Sequence, residues 1–201
     1  MEINKTYKVD KAKYYDDETD KHQIVIGHTY SSGIEYIKTW ENRIGGKYKS
    51  TVPYSIDIDG TVYEHYNSKF YSDFIYDEAD KFIIPINLIN EGWLEGDNKK
   101  KYFNRFNCIY NREDVVHKQE WRGKKCWAPY SRKQIDALVD LCVKLCKKHR
   151  IPIKAMTHNT KSNTVKMFNG ITFRANYDNL FKDISPAFDI EYFVKKIKEH
   201  E

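Results

Sequence analysis

A short apolar run constrains the fold of this chain more than any other feature of its sequence. In "HQIVIGH", residues 22–28, the apolar residues Ile24, Val25 and Ile26 follow one another with no polar residue between them. A run of this length without alternation predicts a short strand that is fully buried in a sheet. His28 stands at the exit of that strand, so the pattern places an imidazole at the edge of the predicted sheet.

Further strands are predicted at three places. In "YSIDIDGTVYEHY" apolar and polar residues alternate on both sides of Asp59-Gly60, and this predicts a β-hairpin. The run "FIIPINLI" also predicts a strand, and Pro85 within it predicts an edge position or a bulge. The segment "IKAMTH" predicts another strand, with His158 at its exit.

Two segments have the apolar period of amphipathic helices. "SSGIEYIKTWENRIGG" contains Ser32 and Glu35, a pair that matches a capping box at a helix N-terminus. "SRKQIDALVDLCVKLCKKHRIP" contains the equivalent pair Ser131 and Gln134. The apolar faces predicted to be buried are Ile34, Ile37 and Trp40 in the first helix, and Ile135, Leu138, Val139, Cys142, Leu145 and Cys146 in the second.

The order of these elements predicts an α/β fold: a single domain with a central mixed β-sheet flanked by helices. At 201 residues the chain is long enough for one well-cored domain. Residues 1–22 are polar and are predicted to form an N-terminal arm, and the domain is predicted over residues 23–201. From about residue 91 to residue 130 the pattern is irregular and rich in Trp, Tyr, Lys and Asn, which indicates a long insertion that could carry a binding surface.

Charge and cysteine content narrow the setting in which the protein is expected to work. The formal net charge of +5 is spread along the chain and does not favour dedicated nucleic-acid binding. The first residues contain no apolar segment of the secretory type, and no run is long enough to predict a membrane span. Cys142 and Cys146 lie one helical turn apart among leucines and valines, which favours buried reduced thiols. We therefore expect synthesis in a reducing cytoplasm without a signal peptide.

Three remote side chains are candidate metal ligands. His28 and His158 are each predicted at a strand exit, and Asp183 precedes a Ser-Pro turn in "KDISPAFDIEYF". Two imidazoles and a carboxylate form a ligand set of catalytic zinc, which keeps one position open for water. Spacing alone does not decide for a metal, because a histidine at a strand exit is more often structural or solvated, and Asp before Ser-Pro is a common turn signal.

The sequences around these residues resemble one protein family, in the same order along the chain from about His22 to Phe193. "IVIGHT" is similar to the first zinc-ligand strand of the zinc-dependent N-acetylmuramoyl-L-alanine amidases, whose fold is shared by phage lysozyme-type amidases and peptidoglycan recognition proteins. Other similar segments are "YSIDIDGTVYE", "IIPINLINEGWL", "WRGKKCWAPYSRKQIDALVDLC", "MTHN" and "DISPAFDIEYF". The resemblance implies this family's fold, with Zn²⁺ held by His28, His158 and Asp183.

The resemblance also implies a function. It implies a zinc-dependent peptidoglycan hydrolase that cleaves the amide between N-acetylmuramic acid and L-alanine of the stem peptide. Such a bacteriolytic enzyme would be a bacteriophage endolysin or a virion-associated protein, and would reach the cell wall after holin-dependent release or as part of a virion. In the implied chemistry, zinc lowers the pKa of a bound water to about 7 and polarises the scissile carbonyl.

The sequence departs from the family where a proton must be transferred. Asn87 stands where many relatives carry a catalytic Glu, and an amide cannot hold the proton. Val52 stands where other relatives carry a catalytic Tyr, so Tyr54 is the fallback candidate, and Lys182 lies one position from a Lys that relatives place before the third ligand. Loss of a general base typically costs about 10²–10⁴-fold in rate. The alternative function is therefore a catalytically degenerate amidase-fold protein that binds muropeptide or serves as a virion structural module.

Three residues are candidates for substrate binding. Phe74 stands where many relatives carry a histidine after the hairpin. Trp93 in the insertion could stack on a sugar face, and Arg174 could contact a carboxylate of the stem peptide. The alternatives are that the tryptophans of the insertion pin it to the domain, and that the arginine forms a surface salt bridge.

Overall fold

The computed structural model describes residues 2–96, 101–112 and 115–201, which form two sheets and three α-helices. The strands are β1 Ile3–Asn4, β2 Gln23–His28, β3 Tyr54–Ile56, β4 Val62–Glu64, β5 Ile83–Leu88, β6 Trp93–Gly96, β7 Tyr102–Asn104, β8 His117–Trp121, β9 Lys124–Trp127 and β10 Gly170–Phe173. The α-helices are α1 Thr39–Asn42, α2 Arg132–His149 and α3 Ile190–Lys198.

The larger sheet has the strand order β1-β4-β3-β5-β2-β10 and is mixed. Its strands β3, β5, β2 and β10 run parallel to one another, whereas β3 and β4 form an antiparallel hairpin. β2 lies between β5 and β10, and every residue from Gln23 to His28 is buried, so the prediction of a fully buried strand is confirmed. The predicted α/β fold with a central mixed sheet is confirmed as well. Because the parallel strands end at the same edge, the residues that follow them lie close together.

β5 is a central strand, and the prediction of an edge position or a bulge at Pro85 is wrong. The strand pairs in parallel with β2 on one side and with β3 on the other. Pairing with β3 begins only opposite Ile86, so on that side the chain opposite Pro85 belongs to no strand. A proline is tolerated at such a place because no ladder hydrogen bond needs its missing N–H.

The predicted hairpin and the long helix are both confirmed. Gly60 has a φ of +92° in the turn between β3 and β4, a conformation that favours glycine. Ser131 caps α2 by accepting a hydrogen bond from the backbone N of Gln134 at 3.0 Å. The side chain of Gln134 does not close a capping box, because its Nε2 donates to the carbonyls of Ile56 and Ile89 at 2.9 and 3.0 Å. This fully buried amide ties α2 to the ends of two strands.

The first predicted helix is shorter and less regular than its sequence pattern indicates. Two 3₁₀ turns, Ile34–Lys38 and Arg43–Gly46, flank the four-residue α1. The first turn begins after Gly33 without a side-chain cap, so the predicted capping box is wrong. The Glu35 carboxylate instead accepts a hydrogen bond from the Tyr7 hydroxyl at 2.9 Å. The predicted apolar face is buried as expected and consists of Ile34, Ile37 and Trp40.

The larger sheet carries an apolar core on each face. Ile24 and Ile26 face α2 and α3, whereas Val25 faces the segment around α1. Full burial of a side chain of this size contributes about 1.5–3 kcal/mol relative to exposure. Strand β2 is therefore held from both sides, which fixes the position of the histidine at its end.

The segments outside this core also pack on it. In the predicted N-terminal arm, β1 pairs with β4, and the Tyr14 ring stacks on Tyr66 with 4.2 Å between centroids. Although the sequence pattern of the insertion is irregular, its described residues form an antiparallel sheet of order β7-β6-β9-β8. Trp127 is fully buried there and contacts Trp121 edge-on at 5.5 Å, so these rings pin the insertion in place.

The four cysteines of the chain are all free thiols. Cys142 and Cys146 are buried in α2 as predicted. Over residues 2–96, 101–112 and 115–201, no helix has both the length and the apolar character needed to cross a lipid bilayer.

Candidate functional site

His28 ends β2 with its imidazole inside the protein. The residue is 3% exposed, and Nδ1 lies 2.7 Å from the hydroxyl of Tyr130. Burial lowers the pKa of His28 to about 4, and the nearby carboxylate of Asp183 only partly opposes this. The imidazole is therefore neutral near pH 7. Its other nitrogen, Nε2, is buried and finds no hydrogen-bond partner among the described residues.

The free nitrogen of His28 is covered by the start of the insertion. A Cβ placed on Gly92, whose φ is +72°, would lie 2.9 Å from Nε2 of His28 and 2.5 Å from the Tyr30 ring. The Tyr30 ring also contacts the imidazole edge-on, with 4.5 Å between the ring centroids. Backbone and an aromatic ring thus crowd Nε2, and only glycine fits at position 92.

Asp183 is the second buried group at this edge of the sheet. The residue is 1% exposed, and its Oδ2 accepts a hydrogen bond from the backbone N of His28 at 3.3 Å. A Cβ on Gly27 would lie 2.5 Å from the same oxygen and 2.9 Å from the Phe74 ring. The glycine before His28 therefore makes room for the carboxylate. The other oxygen, Oδ1, is buried and has no hydrogen-bond partner in the described part of the chain.

Arg174 supplies the positive charge beside this carboxylate. It directly follows β10, and its Nη1 lies 3.4 Å from Oδ2 of Asp183, with side chains 15% and 1% exposed. Its Nε donates to the carbonyl of Phe74 at 2.9 Å. The guanidinium carbon lies 4.7 Å from the centroid of the Phe74 ring and 4.1 Å from that of Phe181. The alternative of a surface salt bridge is wrong, because Arg174 forms an ion pair inside the protein, and contact with a substrate stays a prediction.

His158 does not join His28 and Asp183. The segment predicted as its strand forms only an isolated bridge between Ala155 and Ile171, so that prediction is wrong. The strand beside β2 is β10, and the residue directly after β10 is Arg174. His158 is exposed, and its Nδ1 lies 2.9 Å from the hydroxyl of Thr160.

A three-ligand zinc site is not formed by this arrangement. Among the described residues, no three side chains of His, Cys, Asp or Glu type converge in a way that could hold a metal ion. The buried free atoms of His28 and Asp183 would suit a ligand, but a guanidinium already contacts the carboxylate and a tyrosine ring and backbone crowd the imidazole nitrogen. The residues as placed do not fit a catalytic zinc ion, which needs three protein donors and one open position.

Comparison with solved structures relates the fold to a known group of enzymes. No family profile matches the sequence, and no curated protein matches it. The structure is similar to that of the N-acetylmuramoyl-L-alanine amidase LysC from Clostridium intestinale, with a TM-score of 0.58, 11% identity and 98% of each chain covered. It is also similar to PlyL, with a TM-score of 0.61, 11% identity, and 100% of this chain and 99% of that one covered.

A third similar structure is the Ph2119 endolysin from a Thermus scotoductus bacteriophage, with a TM-score of 0.56, 14% identity, and 97% of this chain and 98% of that one covered. The chain has the N-acetylmuramoyl-L-alanine amidase fold. The fold implied by the sequence resemblance is thus confirmed over nearly the whole chain. At this level of identity the amidase fold carries no residue roles with it, and function must be argued from the site.

The predicted catalytic residues lie in different surroundings within the amidase fold. Asn87 pairs with Gly27 across β5 and β2, and its buried Oδ1 lies beside the Asp183 carboxylate pocket. The Tyr54 hydroxyl contacts Glu64 at 3.5 Å, and burial raises its pKa to about 12, so the phenol is protonated near neutral pH and its catalytic role stays a prediction. Lys182 precedes Asp183 in the chain and is half-buried.

Like Arg174, the other two residues predicted to bind substrate are engaged in contacts within the protein. Phe74 is 3% exposed and supports Arg174, so it offers no open surface to a ligand. Trp93 is half-buried in β6, and Nζ of Lys124 lies 3.5 Å from its ring centroid. The Phe74 ring packs against Gly27 at the base of the site, and substrate binding by Phe74 stays a prediction.

Arg122 is a residue of this region that the sequence pattern did not reveal. It sits in the turn between β8 and β9 with a φ of +48° and points into the loops around the site. Burial lowers its pKa, and the carboxylates of Asp183 and Asp178 oppose this. Its guanidinium donates to the backbone carbonyls of Asn159, Ala175, Asp178 and Phe181. The insertion is thereby attached to the segments that carry His158, Arg174 and Asp183.

An open cavity lies next to the covered imidazole, between the insertion and the loop after β2. Its volume is about 330 Å³. The lining residues are Tyr30, Ser31, Ser32, Glu91, Asn104, Phe106, Cys108, Ile109, Asn111 and Arg112. Aromatic, amide and charged groups converge there, which is the composition of a site for a polar ligand with an apolar face.

Proposed function

We propose that this chain recognises muramoyl peptides of the bacterial cell wall and does not hydrolyse them. One observation carries the proposal: the buried carboxylate at the carboxyl edge of an amidase-fold sheet is paired with Arg174 and, among the described residues, is not grouped with a third metal ligand. The chain has the fold of an amidase, but the charged groups at its centre form an ion pair instead of a metal-ligand set.

The missing chemistry supports binding over hydrolysis. Amide hydrolysis needs an activated water and a group that passes a proton to the leaving amine. Asn87 beside the site carries a neutral amide that cannot hold that proton. The nearby Tyr30 phenol has its pKa raised by burial, so it is a poor base near neutral pH.

The cavity beside Tyr30 supports muramoyl peptide as the ligand class. Phe106 is 58% exposed on its wall and offers an apolar ring face of the kind that packs on sugars. The guanidinium of Arg105 lies 4.8 Å from the ring centroid of Tyr30, which lines the cavity, so a positive charge stands beside the cavity for a carboxylate of a stem peptide. Sugar and acidic peptide are the two parts of a muropeptide.

A phage setting belongs to the same proposal. One similar structure is described as an endolysin of a bacteriophage, and another as an endolysin-type amidase of Clostridium intestinale. In this setting the protein acts at the cell wall as a virion component or as an accessory to lysis after holin-dependent release.

Zinc-dependent amide cleavage is the second candidate function. The observation that favours it is the pair of buried atoms without partners among the described residues, Nε2 of His28 and Oδ1 of Asp183. Cleavage would require His158 to leave its contact with Thr160 and reach these atoms, and would require Arg174 to release the carboxylate.

A wall-binding assay separates the two functions. Purified cell walls are incubated with the protein, the bound fraction is measured by sedimentation, and new N-terminal alanine is quantified with zinc and with chelator. We expect binding without release of alanine under either condition. Alanine release that requires zinc would establish the second candidate and overturn the first.

Two variants test whether the cavity is the binding site. Phe106→Ala removes an exposed ring from the cavity wall, and we expect it to weaken wall binding about tenfold, since stacking of this kind contributes on the order of 1–2 kcal/mol. Ile44→Ala is the control, because it removes an apolar side chain that is even more exposed, at 72%, from the turn after α1. Equal binding by both variants and the wild type would place the wall contact elsewhere.

A further inference from the structure

The carboxylate of Asp183 is held by a restrained guanidinium. Arg174 makes three kinds of contact at once: an ion pair to Asp183 at 3.4 Å, a hydrogen bond to the Phe74 carbonyl at 2.9 Å, and ring contacts to Phe74 and Phe181. A cation fixed in this way has lost the freedom of a surface arginine. Its position is set by the protein, as that of a bound ion would be.

The strand register explains how the guanidinium reaches the carboxylate. Phe173, the last residue of β10, pairs with Ile26 of β2, so Arg174 is level with Gly27. Gly27 has no side chain, and the space that its Cβ would occupy is filled by Oδ2 of Asp183. The carboxylate therefore lies against one strand while the next strand supplies the positive charge.

We propose that the guanidinium of Arg174 is the resident cation of this site and takes the place beside Asp183 that the sequence resemblance assigns to zinc. A carboxylate that is 1% exposed needs a counter-charge, and Arg174 provides one without a metal. A divalent ion at the same carboxylate would be repelled by the fixed guanidinium at a few ångströms, in a buried place where screening is weak.

This inference concerns the charge of the site and goes beyond the proposed function. It holds whether or not a muropeptide binds in the neighbouring cavity, because the ion pair involves only groups of this chain. Its consequence is a protein whose fold and site do not depend on a metal. Failure of wall binding would therefore leave the inference untouched, whereas stoichiometric zinc on the wild type would overturn the inference and would also favour zinc-dependent cleavage.

The test uses the full chain and measures zinc itself. Wild-type protein is dialysed against zinc, its metal content is determined by elemental analysis, and its thermal midpoint is recorded with zinc and with chelator. We expect no zinc retained at one per chain and no change of midpoint. Stoichiometric zinc on the wild type would overturn the proposal.

Three variants ask whether guanidinium and metal compete for one position. Arg174→Met keeps the length of the side chain and removes its charge, which we expect to lower the midpoint by roughly 10 °C because Asp183 loses its counter-charge. Zinc should raise the midpoint of this variant, but not that of Arg174→Lys, which keeps a charge. In the double variant with Asp183→Asn, the zinc effect should disappear.

The remaining outcomes are also decisive. If Arg174→Met has the stability of the wild type, the carboxylate does not need the guanidinium and the proposal fails. If zinc stabilises the methionine and lysine variants alike, or neither of them, guanidinium and metal do not share a position. If the methionine variant does not fold, the zinc content of the wild type decides alone.

Discussion

Replacing Gly27 by alanine tests the geometry of the site most directly. The new Cβ would lie 2.5 Å from Oδ2 of Asp183 and 2.9 Å from the Phe74 ring, both shorter than carbon side chains tolerate. Neither neighbour can move freely, because the carboxylate is paired with Arg174 and the ring carries the guanidinium. A single methyl group should therefore displace the ion pair or the strand.

Gly27→Ala lowers the free energy of unfolding in two ways. Forcing one extra methyl group into a well-packed place typically costs about 1–3 kcal/mol. Displacing the carboxylate weakens a buried ion pair, and loss of such a pair costs about 3–5 kcal/mol when one partner remains. We expect a loss of about 3 kcal/mol for Gly27→Ala. For a chain of this size that corresponds to a thermal midpoint lower by about 6–12 °C.

The assay is urea unfolding followed by circular dichroism, with Gly33→Ala as the matched control. Gly33 has an extended backbone with a φ of −163°, and a Cβ there would meet nothing within 4 Å. We expect the control to be neutral or slightly more stable, by up to about 1 kcal/mol, because alanine restricts the unfolded chain. The two glycines thus separate crowding at the site from the general effect of adding a methyl group.

A double-mutant cycle identifies the crowded partner. In an Asp183→Ala background the oxygen nearest the new methyl group is gone, so the cost of Gly27→Ala should fall by at least about 1 kcal/mol. The Phe74 contact should leave a smaller remainder. If Gly27→Ala is as stable as the wild type, the carboxylate does not lie against β2 and the reasoning about the site is wrong.

Three further substitutions test other contacts. Arg122→Ala removes the donor shared by four loop carbonyls, so amide hydrogen exchange in those loops should accelerate by about tenfold or more. Lys125 is exposed in the same hairpin, and Lys125→Ala should not change the exchange rate. Burial lowers the pKa of His65 from 6.5 to about 4, so His65 takes up a proton at a higher pH in the unfolded chain than in the folded protein. The free energy of unfolding should therefore fall as the pH drops from 6.5 towards 4, by at most about 3 kcal/mol. In urea titrations across this range His65→Gln should flatten that slope, and His200→Gln, at an exposed position, should leave it unchanged. Gln134→Leu leaves two strand-end carbonyls without their donor and should lower the free energy of unfolding by about 1–3 kcal/mol in a urea titration at neutral pH. No loss of stability would show that the amide is not needed there.

The parts of the fold that could be predicted are those that a local pattern determines. The burial of β2 follows from three consecutive apolar residues, and the hairpin at Gly60 follows from alternation around a turn dipeptide. The helix α2 follows from its apolar period and from Ser131, whose cap is present in the structure. Each signal lies within a window of a few residues, so no knowledge of distant partners was needed.

The parts that could not be predicted depend on partners far away in the chain. Pro85 suggested an edge strand, and only the register of β3 shows why a central strand tolerates it. The segment before His158 and the segment before Arg174 both look like short strands that end in a basic residue. Which of them lies beside β2 is decided by tertiary pairing, and β10 takes the place. The side chain of His158 therefore does not complete a group of three metal ligands with His28 and Asp183, for a reason that no local pattern expresses.

The choice between these two segments also determines what the edge of the sheet can do chemically. A histidine at the exit of the strand beside β2 would add a neutral donor to His28 and Asp183, and the single carboxylate charge would remain available for a metal. Arg174 at that exit cancels the charge, so the same buried aspartate becomes half of an internal ion pair. Parallel strands tolerate this exchange because the pairing of β10 with β2 uses backbone groups only, whichever residue comes next. The fold can therefore stay that of an amidase while one strand exit changes the chemistry of its centre.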